Sequence, residues 1–269
     1  MRDIATPDDI ESFWKMGAVC LRHLLNPDEI AILREGIEFN LSHPSERARI
    51  ASGALDPGRF VEDFCTWQEN TCYREIIFES ALGRVAGALM GSDEVRLFHD
   101  HMLTKEAGTR QRTPWHQDQP YYNVEGRQNV SFWIPVDRVS RDATLEFIAG
   151  SHNGQWRMPR SFLDREARWF PDGSLAELPD IDARREDFPI VGWALEPGDA
   201  VAFHMLSLHA SAGSDRRRRV FSVRFLGDDM VHAPRRWPTS PEFVGLSDRL
   251  ADGAPMADPL FPIVWRSHA

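Results

Sequence analysis

The chain is predicted to be mainly β with flanking helices, its strands closed into an antiparallel double-sheet barrel of the jelly-roll kind. Three observations carry this expectation. From Glu94 onward the hydrophobic period becomes strand-like, in EVRLFHDHML, NVSFWIPV, TLEFIAG, PIVGWAL, DAVAFHML and RVFSVRFL. Gly, Pro and Asp punctuate these runs, and no helical pattern of crossover length separates them. Strands at this rhythm without crossovers favour antiparallel sheets packed face to face.

The opening segment reads as helix, strand and helix. Thr6-Pro7-Asp8-Asp9 places a hydroxyl at the N-cap, Pro at N1 and acids in the first turn, and Gly17 closes the helix. Ala18 to Leu21 forms a short strand. Asn26-Pro27-Asp28-Glu29 starts a second helix, running to about Leu41, with the Glu at N3. Residues 43–60 are rich in Pro and Gly and predict a loop region, followed by a strand over Phe60 to Phe64. From about Gln68 to Met90 a broad apolar face predicts one or two buried helices, with Gly83 and Gly87 as places where the pattern breaks or bends. The ordered spacing of motifs favours one domain over the whole of 1–269: a mostly helical scaffold over 1–92, a barrel over 93–227 and a tail over 228–269. The tail, rich in Pro and Trp, is expected to wrap the barrel as coil.

Within the barrel, 151–189 breaks the strand rhythm. It carries Trp156, Arg157, Met158, Arg160 and Trp169 among Pro, Asp and Gly. A segment of this length in a compact fold is usually functional, so a lid or substrate-facing insertion is expected.

Composition limits the function. The 269 residues have a net charge of -10, which works against wrapping nucleic acid, and no apolar run approaches a membrane span. The first twenty residues lack the pattern of a secretory leader. Cys20, Cys65 and Cys72 form no CxxC and cannot all pair, so reduced thiols and a cytoplasmic address are expected. A small-molecule partner follows.

The chemistry is expected in TPWHQDQP, residues 113–120. On an extended segment residues two apart share a side, so His116 and Asp118 can converge on one ion. The best third ligand is His209 in GDAVAFHMLSLHASAG, which is followed by Arg216 to Arg219. Two histidines and one carboxylate leave open positions on a non-heme Fe(II). His99 and His101 form a second same-face pair, without a carboxylate and third histidine in a matching pattern, and are expected to line the pocket. A zinc hydrolase using the same three ligands, or a barrel that binds without catalysis, are the competing readings.

Quoted in order, WHQD (115–118), FWIPVD (132–137), AGSH (149–152), PGD (197–199), HAS (209–211) and RRVFSVRF (218–225) resemble the phytanoyl-CoA dioxygenase family of Fe(II)- and 2-oxoglutarate-dependent oxygenases. This resemblance implies a double-stranded β-helix, the cupin-like form of the jelly roll. It also implies a reaction in which O2 and 2-oxoglutarate hydroxylate a C–H bond of a small metabolite, with release of succinate and CO2. The implied metal ligands are His116, Asp118 and His209. In the family the co-substrate arginine lies four residues before a serine, which selects Arg218 opposite Ser222, with Arg217 and Arg219 as neighbouring alternatives. Ser211 and Trp133 match positions near the co-substrate, and a guanidinium suits a carboxylate because it donates two parallel hydrogen bonds. His101, Tyr121 and Arg157 are expected to face substrate. Asp142-Ala143-Thr144 replaces the family's Asn-Gly, so the turn there must differ. Asp118 itself argues for oxygenation, since related halogenases carry a small residue in its place.

Overall fold

The computed structural model describes residues 5–158 and 175–267. Its elements run α1 (Pro7–Met16), β1 (Ala18–Leu21), α2 (Pro27–Ser42), β2 (Arg49–Ile50), β3 (Phe60–Phe64), α3 (Thr71–Glu79), α4 (Leu82–Met90), β4 (Glu94–Lys105) and β5 (Thr113–His116). They continue with β6 (Val124–Glu125), β7 (Asn129–Pro135), β8 (Leu145–Ile148), β9 (Ile190–Val191), β10 (Ala200–Phe203), β11 (His209–Ser211), β12 (Arg218–Leu226), β13 (Val231–His232), α5 (Leu246–Arg249) and β14 (Ile263–Arg266).

Both opening helices start on the predicted caps. Thr6 and Asp9 form a reciprocal capping box, as do Asn26 and Glu29, each with Pro in the first turn. Gly17 ends α1 in the left-handed conformation, at φ 80°. A Cβ there would stand 2.5 Å from both His152 Nδ1 and Ser207 Oγ, so only Gly fits between the helix end and the AGSH turn. The turn is held in return: Gly150 N–H donates to Met16 O, and His152 Nε2 lies 3.0 Å from Trp14 O.

The large sheet has the order β1-β10-β7-β12-β4-β3-β2, with β14 also paired to β4, and a second sheet runs β5-β11-β8-β9. All of these pairings are antiparallel. Strict alternation divides the central strands. On β12, Phe221, Val223 and Phe225 join a core with Leu33 and Ile37 of α2, Tyr73 and Ile76 of α3 and Leu82 and Val85 of α4. Val220, by contrast, packs with Phe147 and Leu145 of the second sheet. Arg218, Ser222 and Arg224 share the Val220 face and are therefore turned between the sheets. On β7 the same alternation sends Phe132 and Ile134 to the helices and Ser131 and Trp133 inward.

Two expectations need correction. Gly83 and Gly87 do not break the helical stretch, which divides instead between Glu79 and Leu82. Their missing side chains let Trp265 of β14 approach, since a Cβ on Gly87 would lie 2.4 Å from its ring. The tail is likewise not all coil: β13 pairs with β6, and β14 extends the large sheet at the Glu94 end of β4. No helix among the described residues is long and apolar enough to cross a membrane. Cys20, Cys65 and Cys72 form no disulfide.

Candidate metal centre

β5 and β11 are antiparallel neighbours whose register sets His116 directly opposite His209, with ring centroids 4.1 Å apart. Each ring is tied by Nδ1 to a carbonyl two residues earlier, His116 to Pro114 O at 2.8 Å and His209 to Ser207 O at 2.9 Å. A carbonyl only accepts, so Nδ1 carries the proton and Nε2 the lone pair. Both Nε2 atoms face Asp118 Oδ1, at 3.5 and 3.6 Å.

Asp118 reaches this point by a different route from the one its spacing suggests. β5 ends at His116, and Asp118 has helical dihedrals (φ -74°, ψ -46°) at the start of a 3-10 turn over Gln119–Tyr121. The backbone N–H groups of Asp118 and Gln119 both donate to Met205 O, which pins this turn to the segment leading into β11. A turn, not strand pleating, brings the carboxylate to the histidines.

The three side chains are buried, and their ligating atoms lie within 4.8 Å of one another, the one such group of three among the described residues. Burial alone would push the Asp118 carboxyl up, but Arg224 and the two histidines outweigh it and hold the group well below the usual carboxylate range. Burial, with His116 beside it, draws His209 down to about 3. The result is an anionic oxygen facing two imidazole nitrogens, a donor set that suits Fe(II). Among the described residues, His99 and His101 recruit no third ligand. His101 stacks on Phe64 at 3.9 Å and faces Glu62 Oε1 at 3.4 Å.

Arg218 is buried against the Trp133 ring, 5.4 Å from its centroid, and Nη2 lies 3.4 Å from Ser211 Oγ. Its Nη1 donates to the carbonyl of Ala143, in the turn that departs from the family pattern. Burial pulls the guanidinium down to about 10, and no carboxylate among the described residues pairs with it. Arg217 and Arg219 instead pair on the outside with Glu38, and Arg219 also with Asp137. Lys105 accompanies Arg218. Fully buried, it donates to Gln111 O and Ala212 O at 2.8 Å and reaches Ser211 Oγ at 3.4 Å. Burial and then Arg218 push this ammonium well below its ordinary value.

Among the expected substrate-facing residues, Tyr121 sets its ring edge-on to His116, at 6.1 Å. Arg157 is joined to the ligand segment through its N–H, which donates to Gln117 Oε1 at 2.7 Å, and its Nη1 donates to Glu177 O. His101 stands on the inward face of β4, opposite Ser222. Arg160 and Trp169 of the insertion, and the middle of the expected lid, lie outside the described residues. Lys105, Arg224 and Tyr122 escape the sequence reading. For the two cations the available signal was a charged residue on the inward parity of a barrel strand.

A double-stranded antiparallel barrel with two histidines and a carboxylate between its sheets defines the class of cupin-like oxygenases. The sequence model of the phytanoyl-CoA dioxygenase (PhyH) family matches residues 13–220, and the chain belongs to that family of Fe(II)- and 2-oxoglutarate-dependent dioxygenases. A search of curated proteins yields no match. Among solved structures it is similar to the non-heme alpha ketoglutarate dependent carbocyclase SnoK from nogalamycin biosynthesis, at TM-score 0.73 and 20% identity over 96% of both chains. It is also similar to the epimerase SnoN in complex with Fe3+, alpha ketoglutarate and nogalamycin RO, at TM-score 0.75 and 19% identity over 96% of this chain and 97% of that one. EctD from S. alaskensis, solved with 2-oxoglutarate and 5-hydroxyectoine, matches at TM-score 0.69 and 18% identity over 97% and 90%. At these identities the likeness is one of fold.

Proposed function

We propose that the protein is a hydroxylase of a small metabolite, with Fe(II) held by His116, Asp118 and His209. The observation that carries this reading is the cross-strand His116–His209 pair, both Nε2 atoms aimed at one oxygen of Asp118. When bound, iron and 2-oxoglutarate supply the oxidising chemistry: one O2 and one 2-oxoglutarate give succinate, CO2 and one hydroxyl placed on substrate.

The chain's own residues bind, orient and exclude water. Arg218 would grip the far carboxylate of 2-oxoglutarate through its fork, with Ser211 donating beside it, Lys105 adding charge and Trp133 forming the wall. The ligand would give two buried cations the anion that no described carboxylate gives them. A zinc hydrolase has no use for such a pair. The SnoN complex with alpha ketoglutarate and the EctD complex with 2-oxoglutarate support the same co-substrate here. Tyr121, His101 and Arg157 would face the metabolite, within a single domain. Cysteines that form no disulfide fit a reducing, cytoplasmic setting.

A panel of small polar metabolites tests the reading, scored by the succinate each stimulates with Fe(II), 2-oxoglutarate and O2 present. A hydroxylated product formed in step with succinate is expected. Product formation without O2 or 2-oxoglutarate would overturn the reading.

A further inference from the structure

We propose that Arg224 is a positioning residue for the metal carboxylate: it occupies Asp118 Oδ2, so that Asp118 presents Oδ1 alone to the ion. The inference rests on the reading of His116, Asp118 and His209 as the metal site. Arg224 lies on the inward face of β12, cross-strand from Ser131 of β7 and His99 of β4. Its guanidinium is buried and fixed at two points. Nη1 donates to Ser222 Oγ at 2.9 Å, and Ser222 in turn donates to Phe132 O at 2.8 Å, which locks that hydroxyl as an acceptor for the arginine. Nη2 donates to Asp118 Oδ2 at 3.2 Å.

The two oxygens of Asp118 are thereby divided. Oδ2 receives Arg224 and, at 3.4 Å, the Ser131 hydroxyl, while the Tyr122 hydroxyl lies against both Arg224 and Asp118. Oδ1 is the oxygen that faces both histidine Nε2 atoms. A free carboxylate can take an ion with one oxygen or two. With Oδ2 engaged by the arginine and serine, this one is restricted to a single oxygen, which keeps a further position on the metal open for co-substrate. Partners that orient metal ligands in this way usually matter on the order of 10- to 100-fold in affinity or activity. Lysine cannot replace the fork, because a single ammonium does not span Ser222 and Asp118 with fixed geometry.

The test uses Co(II), which is stable in air, on the wild type, Arg224→Gln and Arg224→Lys. Three quantities are measured: the visible absorption of the Co(II) protein, calorimetric binding of 2-oxoglutarate to it, and urea unfolding. The expected result for Arg224→Gln is an altered Co(II) spectrum and 2-oxoglutarate binding weakened about tenfold or more, with Arg224→Lys in between. A merely structural arginine would shift the urea midpoint and leave the spectrum and co-substrate affinity of the folded protein as in wild type, and that result would overturn the proposal. Should Arg224→Gln not fold, Arg224→Lys decides by the same criterion: wild-type spectrum and affinity overturn it. Wild type that takes up no Co(II) would instead remove the metal-site reading on which the proposal stands.

Discussion

Arg218 Nη2 stands 3.4 Å from Ser211 Oγ, between the sheets, while its sequence neighbours Arg217 and Arg219 form ion pairs with Glu38 on the other side of the strand. Strand alternation therefore sorts the run of four arginines. Arg218→Ala is expected to raise the 2-oxoglutarate requirement sharply, by about 2 to 5 kcal/mol of binding, much of it from leaving the carboxylate unpaired. Arg217→Ala and Arg219→Ala should stay close to wild type. Titration of 2-oxoglutarate against succinate release, with the three variants side by side, checks this. Loss confined to Arg219→Ala would mean the inward parity has been misassigned.

Lys105 is the second cation at Ser211, and its burial makes it costly unless an anion arrives. Lys105→Met keeps the stem and removes the charge. It should weaken 2-oxoglutarate binding by on the order of tenfold, the range of a charge-assisted hydrogen bond. Calorimetry of 2-oxoglutarate binding to the metal-loaded variant is the measurement, and wild-type affinity would contradict a role for Lys105 beyond packing.

The fold was largely legible because its signals are local. The two capping boxes, Gly17 and the alternating strands each act within a few residues. The histidines were legible for the same reason: HxD and HAS are short patterns. What the sequence hid depends on distant partners. Nothing near Arg224 names Asp118, which meets it only when β12 and the turn after β5 are brought together. Lys105 looks like an ordinary strand end until the sheets close over it. The four residues of β14 lie in a Pro-rich tail and become a strand only beside Glu94 to Arg96. Gly83 and Gly87 resemble breaks because their reason, Trp265, is more than 170 residues away.

Stability should fall with acid in the metal-free protein. Burial chiefly holds His101 down to about 4 and His204 to about 3, and keeps His99 well below its ordinary value. Unfolded, each takes a proton near pH 6.5. Folded values below unfolded ones mean that the unfolded chain binds more protons, so stability is complete above pH 6.5 and is lost as the pH falls toward 4. Each histidine contributes a slope of about 1.4 kcal/mol per pH unit across that window. Urea midpoints measured from pH 7.5 to 4.5 should decline throughout the lower part of the range. A flat profile would show that these imidazoles are not held neutral.

His116, Asp118 and His209 are proposed to hold one iron. The most direct test is the iron content of protein loaded anaerobically with Fe(II) and freed of excess metal, for the wild type and for Asp118→Ala, His116→Ala and His209→Ala. Asp118→Ala removes the site's one anionic oxygen donor and should lose iron together with all succinate formation. One iron per chain is expected in the wild type and little in any of the three variants. Full iron in Asp118→Ala, or loss of iron on replacing His99 or His101 instead, would contradict it.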